Sequence, residues 1–400
     1  MKDGVPQGAV LSPSLFNLFL HDLPAPQHPN VSISSYADDL TIVSSDPKIT
    51  TAANNLQLYL TDLENWLNVN RMNVSAEKSS ITVITPFNRE YESQPLITLN
   101  DTPIPVLPTT KILGTTFDRG MTFRHHSTEI ANKAKTRINV LKALTATTFG
   151  QQKESIINLY KQFIRPVISY ASPAWSPDIA DTHTETLQRV QNSALRVATG
   201  CTKSTPIAHL HTETKVLPIK THLDMRGTQF YAAAANPQHP CNHLHHPAPT
   251  RRCIHKTPAT YYSNLYGQMP PTPPRRTERE WIHEQFVTEY LTQVPDNSIL
   301  GEPPPPIAES EVHLPRESRV HLARLRCGHH PSLLTYQNRI DRNVDPTCRY
   351  CGTNPETVSH LLEDCPPLSA LRMAHGVDHP SHLWSRPAET ILFLRSAGLL

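Results

Sequence analysis

Asp38 and Asp39 stand side by side between two β-prone runs, Val31-Ser32-Ile33-Ser34-Ser35 and Leu40-Thr41-Ile42-Val43. Neighbouring like charges repel, so the pair contributes little to stability by itself. A divalent cation changes the balance, because Mg²⁺ takes oxygen ligands, keeps several waters and is held by one or two carboxylates together with substrate phosphates. The chemistry such a pair would serve is nucleotidyl transfer, in which two metal ions roughly 3.5–4 Å apart clamp the attacking and leaving oxygens. A solvated hairpin turn is the alternative, and the flanking segments have to decide between them. A second candidate set is Cys348-x₂-Cys351-x₈-His360-x₄-Cys365. Three thiolates and an imidazole at such spacing suit Zn²⁺ closing tetrahedrally as a structural ion.

The elements that must position the carboxylates can be read on both sides. The two runs are expected as strands, with Ala37-Asp38-Asp39 at the tight turn between them. A turn breaks the up-down alternation of a strand, so consecutive side chains there can converge on one ion. Upstream, Gly4-Val5-Pro6-Gln7-Gly8 is a Gly-bracketed loop. Ser12 and Pro13 then suit the N-cap and first position of a helix whose apolar face is Leu15, Phe16, Phe19 and Leu20. A Gly loop ahead of a helix lets backbone approach a nucleotide closely. Downstream, residues 51–69 are expected as an amphipathic helix on Leu56, Leu60, Leu63 and Leu67 with Trp66, followed by Asn73, Lys78 and a strand over Ile81-Thr82-Val83-Ile84.

Taken together, Gly4-Val5-Pro6-Gln7-Gly8-Ala9-Val10-Leu11-Ser12-Pro13-Ser14-Leu15-Phe16-Asn17 and Tyr36-Ala37-Asp38-Asp39 resemble the reverse transcriptases of non-LTR retrotransposons, of the Jockey/LINE-like kind. The resemblance implies an RNA-directed DNA polymerase that extends a DNA primer 3′-OH on an RNA template. It implies an α+β fold: a partial palm over residues 1–125 (βαβ with the Tyr-Ala-Asp-Asp hairpin), a helical thumb or connection over 126–235, a Pro/His-rich linker over 236–310, and a C-terminal helical region with a zinc knuckle over 311–400. It further implies that Asp38 and Asp39 bind Mg²⁺ or Mn²⁺, that Tyr36 and Ala37 lie beside the primer terminus, and that Gln7 and Gly8 border the incoming nucleotide and template. Lys78 would be the proton donor to the pyrophosphate leaving group, a role that needs a lowered pKa; a solvated surface lysine is the other reading. Lys111–Asp118 and Thr122–His126 resemble the family's primer-grip region, with Ile112 and Phe123 in place of two aromatics of that pattern. Arg165–Trp175 and Leu187–Arg196 resemble two further family segments.

Helices are expected over 129–144, 153–170 and 182–199, and Lys133, Lys135, Arg137, Lys142, Lys161 and Arg165 on them suit contacts to a phosphate backbone. The Pro/His-rich stretch holds His239, Cys241, His243, His245, His246, Cys253 and His255 at spacings that fit no zinc pattern, and one helix is expected near 277–292. Near the Cys/His set, Arg324, Arg326, Arg339, Arg342 and Arg349 are candidate nucleic-acid contacts. A net charge of +2 over 400 residues leaves nucleic-acid binding to local patches. No apolar run reaches membrane length and no signal peptide is evident, so no membrane partner and a cytoplasmic or nuclear location are expected. The family's third carboxylate comes from a strand ahead of the Gly loop, whereas the acids before Tyr36 are Asp3 and Asp22. The expectation is a C-terminal fragment, inactive alone, partnered by a missing N-terminal half or other element proteins. The alternative is a non-catalytic remnant that binds nucleic acid through thumb and knuckle.

Overall fold

The computed structural model describes residues 5–6, 8–245 and 257–400 of the chain, in two compact units, Met1–His126 and Ser127–Leu400. Gln7, His246, Cys253 and His255 lie outside the described residues.

In the first unit, α1 (Ser12–Phe19) carries Pro13 in its first turn. Ser12 does not cap it: Leu11 is the N-cap residue, and the Ser12 hydroxyl instead donates to the Pro6 carbonyl at 2.6 Å, tying the loop to the helix start. β1 (Val31–Tyr36) and β2 (Asp39–Ser44) form a two-stranded antiparallel sheet with Ile33 opposite Ile42 and Tyr36 opposite Asp39. α2 (Ile49–Val69) has its apolar residues at three- and four-residue spacing, and Tyr59, Leu60, Leu63 and Leu67 are buried. Together with Val31, Ala76, Ile97 and Leu99 they make the core on which the hairpin rests. The strand expected at 81–84 shrinks to a single parallel bridge between Ile81 and Val106. Short hairpins follow: β3 (Thr98–Leu99) with β4 (Thr102–Pro103), and β5 (Thr109–Ile112) with β6 (Thr115–Asp118). Leu113 and Gly114, the two turn residues of the last hairpin, both have positive φ, the signature of a tight two-residue connection.

The chain passes into the second unit within the first turn of α3 (Arg124–Leu144). The helix expected over 153–170 is α4 (Lys153–Leu159), a π turn at Tyr160–Ile164, and α5 (Arg165–Ser169). Pro166 sits at the start of α5, where a missing N–H costs least. α6 (Ser172–Trp175) and α7 (Asp181–Thr199) come next, then α8 (Ile207–Thr214) and α9 (Ile219–Ala233). Gln188 and Gln191 on α7 bind the 217–219 turn: the Gln188 side-chain oxygen accepts from Ile219 N at 2.8 Å, and Gln191 donates to the Leu217 carbonyl at 2.9 Å.

The Pro-rich stretch contains α10 (Pro258–Gly267) and α11 (Glu278–Thr292), the latter opened by a reciprocal capping box between Thr277 and Glu280. α12 (Arg316–Leu325), α13 (Leu334–Ile340), α14 (Ser369–His375), α15 (His382–Ser385) and α16 (Pro387–Ser396) close the unit. Their apolar faces gather around Leu322, Leu333, Leu361, Leu383, Phe393 and Leu394. Among the described residues, no helix is long and apolar enough to cross a membrane.

Candidate metal sites

The carboxylate pair lies on the β1–β2 turn. Ala37 adopts a positive φ of 51° and turns the chain within two residues. Asp38 is in the turn and Asp39 opens β2, so the turn separates Asp38 from the alternation of the strand that Asp39 begins. Tyr36, Ala37, Asp38 and Asp39 are all exposed, Tyr36 by 68%, which leaves them open to a ligand and free of the core's demands. Gly8, also exposed, has φ +86°, and nothing lies within 4 Å of where a Cβ would project. Lys78 closes a 3₁₀ turn, Ala76–Lys78, is exposed and makes no ion pair among the described residues. Asp118, in the segment likened to a primer grip, is buried and accepts hydrogen bonds from Thr122 N at 2.9 Å and Gly120 N at 3.2 Å. Its role is to close that loop, at whose end Phe123 is fully buried against Phe117.

The Cys/His set is brought together. One ligand atom from each of Cys348, Cys351, His360 and Cys365 lies within 4.8 Å of every other, and among the described residues these form the one group of three or more metal-competent side chains so gathered. Cys348 Sγ and Cys365 Sγ are 3.9 Å apart, and Cys351 Sγ is 3.3 Å from His360 Nε2. A tetrahedron with metal–sulfur bonds of about 2.3 Å and a metal–nitrogen bond of about 2.0 Å has edges close to these lengths. The first pair is set by a turn in which Gly352 (φ +67°) donates to the Cys348 carbonyl at 2.8 Å. The second is set by a π turn, His360–Asp364, across which Cys365 N donates to the His360 carbonyl at 2.8 Å.

Two residues that the motif alone does not single out shape its electrostatics. The backbone N–H of Asn354 and the hydroxyl and N–H of Thr353 hold the Cys351 thiol down to about 5. Cys365 is pushed up to about 12, by burial first and then by its Cys348 neighbour. The set fits a thiophilic ion: one thiolate is prepared by N–H donors, and the buried remainder needs a cation to carry its charge. The Gly-Thr-Asn-Pro run after Cys351 is the turn composition that could have signalled these donors. His239, Cys241, His243 and His245 are not gathered into such a group.

The arginines expected to reach nucleic acid are mostly engaged within the protein. Arg326 is fully buried; its guanidinium meets Glu213 at 2.9 Å and also pairs with Glu311. A side chain sealed in the core cannot reach a phosphate, so that expectation is corrected. Arg349 grips Glu356 through two bonds of 2.7 and 2.8 Å, bracing the Cys348–Cys351 turn. Arg324 donates to the Gly200 carbonyl at 2.8 Å, Arg339 bonds His329, and Arg342 is exposed.

With this geometry in view, the likeness to known proteins has a structural setting. Residues 1–117 match the family model for reverse transcriptase (RNA-dependent DNA polymerase). That match and the transposon relatives support a likeness to the reverse transcriptases of non-LTR retrotransposons. The "Probable RNA-directed DNA polymerase from transposon X-element" of Drosophila melanogaster is 25% identical over 270 residues, 64% of this chain and 29% of that protein. The "RNA-directed DNA polymerase from mobile element jockey" of Drosophila funebris is 30% identical over 206 residues, 50% of this chain and 22% of that protein. The chain therefore spans less than a third of the length of these relatives.

Proposed function

We propose that the chain supplies the metal-binding hairpin of an RNA-directed DNA polymerase. Asp38 and Asp39 hold Mg²⁺ or Mn²⁺, and the metal, when bound, provides the charge that activates a DNA primer 3′-OH and stabilises the leaving pyrophosphate. Gln7 and Gly8 border the incoming nucleotide on an RNA template, Tyr36 and Ala37 the primer end, and Lys78 gives a proton to the pyrophosphate. In this reading residues 1–125 are part of a palm, 126–235 a thumb, 236–310 a connecting stretch, and Cys348, Cys351, His360 and Cys365 a structural zinc knuckle within 311–400. The observation that carries the proposal is an exposed two-residue turn, Ala37-Asp38, followed directly by Asp39, inside the 117-residue family match.

Mn²⁺ binding, followed by electron paramagnetic resonance with a chain-terminated primer on RNA template and a nucleotide, tests it. The wild-type chain should bind Mn²⁺ and Asp38→Asn/Asp39→Asn should lose it; equal binding by both overturns the assignment. A second reading, nucleic-acid binding without synthesis, is favoured by one observation: no third acid joins Asp38 and Asp39 among the described residues. On that reading the chain alone extends no primer, and template-dependent extension by the purified protein with Mg²⁺ or Mn²⁺ would refute it.

A further inference from the structure

In the second unit a cleft of about 800 Å³ opens between the start of α5, one face of α9 and the first turns of α11. Among the described residues, five arginines line it: Arg165, Arg226, Arg275, Arg276 and Arg279. Its two acids are already committed, since Glu280 accepts from the hydroxyl of Thr277 at 2.7 Å and Glu284 pairs with Arg276. Arg226, Arg275 and Arg279 are exposed and have no carboxylate partner among the described residues. The whole chain carries a net charge of only +2, so this concentration is local.

Helix geometry assembles the cluster. On α9, His222 and Arg226 are four apart; on α11, Arg279 and His283 are four apart, so each pair forms a row on one helix face. The two helices are held together by Met225 and Ala232 against Ile282 and Phe286. His222, at the buried end of its row, is held down to about 3 by burial and then by Arg165, Arg226 and His283. Crowded like charges of this kind are relieved by an anion. Guanidinium forks match phosphate oxygens in pairs, and three unpartnered forks outnumber what one phosphate can occupy. Among the described residues no Phe, Tyr or Trp ring lines the cleft to stack a base.

We propose that this cleft is a phosphate-backbone site for a nucleic-acid strand, bound without regard to base sequence and independently of Asp38 and Asp39. Nucleic acid, rather than another polyanion, is chosen on the strength of the function proposed above. The test is fluorescence anisotropy of the full chain with labelled mixed-sequence single-stranded RNA and DNA, without added Mg²⁺, between roughly 50 and 300 mM salt. Arg226→Gln/Arg279→Gln should weaken binding about tenfold or more at low salt and flatten the log–log salt slope by about 1.4, some 0.7 for each phosphate no longer neutralised. Arg189→Gln, on α7 and paired with Glu185, should bind as wild type. If the double variant melts early, Arg275→Gln in the loop before α11 carries the same test. Wild-type affinity and slope in a variant with unchanged melting overturn the proposal, as does absence of binding by the wild type. The Mn²⁺ experiment compares chains that differ only at Asp38 and Asp39. The anisotropy uses no added Mg²⁺ and chains that differ only in the cleft, so either result can fail while the other stands.

Discussion

At the scale of single residues, the Cys/His set is uneven in a useful way. Cys351 is half-exposed and its thiolate is stabilised by Asn354 and Thr353, whereas Cys348 and Cys365 are fully buried. A metal would first meet a ready thiolate and then draw the buried thiols into deprotonation, releasing protons as it binds. The chain is therefore expected to hold one zinc, measured by elemental analysis of the purified protein, and Cys351→Ser should lose it. Thr353→Val removes only the hydroxyl that donates to Cys351 Sγ at 3.3 Å. That change should weaken zinc affinity by roughly 10–100-fold in competition with a chromophoric chelator. Zinc content equal in wild type and Cys351→Ser would rule the site out.

At the scale of elements, two glycines decide how helices approach one another. Gly200 ends α7 in the left-handed region at φ +69°, and a Cβ there would fall 2.6 Å from the Val320 side chain on α12. Gly227 lies inside α9, where a Cβ would come within 2.0 Å of the Tyr262 ring of α10. Glycine within a helix costs about 1 kcal/mol relative to alanine, yet close packing of Tyr262 overrides that preference. The Tyr262 hydroxyl is fixed in place by Ser176 at 2.8 Å, which denies the ring an easy retreat. Gly227→Ala should thus destabilise the protein by about 1–3 kcal/mol in urea unfolding despite the better helix propensity. Combination with Tyr262→Ala should recover part of the loss; a stabilising Gly227→Ala would show that α9 and α10 are not packed this closely.

At the scale of the whole molecule, the second unit is built around charge. Lys153 Nζ lies 2.8 Å from Glu213 and 3.2 Å from Glu311; Arg326 pairs with both acids and Arg319 with Glu311. Burial opposes ionisation of Glu213, but Arg326 and Lys153 outweigh it and hold the carboxyl at about 2. Its contribution is complete above the unfolded value and is lost as pH falls towards 2. His222 and His330 are both held at about 3, by burial first. They stay neutral in the fold while the unfolded chain takes up protons below about 6.5, so stability falls with pH from that point. Melting temperature followed by circular dichroism should decline steadily from pH 6.5 towards 3, and His222→Asn should flatten the upper part of that decline. A melting temperature constant from pH 7 to 5 would contradict this account.

Local order in the chain was enough for much of what is local in the fold. The alternation at 31–35 and 40–43 gives β1 and β2, the spacing of Leu60, Leu63 and Leu67 gives α2, and Thr277 with Glu280 opens α11. The gathering of Cys348, Cys351, His360 and Cys365 was legible too, because these side chains lie within one short stretch whose turns bring them together. Ile81–Ile84 was not, since a strand needs a partner and only Ile81 finds one, at Val106. Nor could sequence spacing tell Arg326, buried among acids more than a hundred residues away in the case of Glu213, from an arginine free to meet phosphate. Periodicity and turn chemistry act over a few residues and are written in the chain. Desolvation and the pairing of distant charges depend on which surfaces meet, and those only the tertiary structure decides.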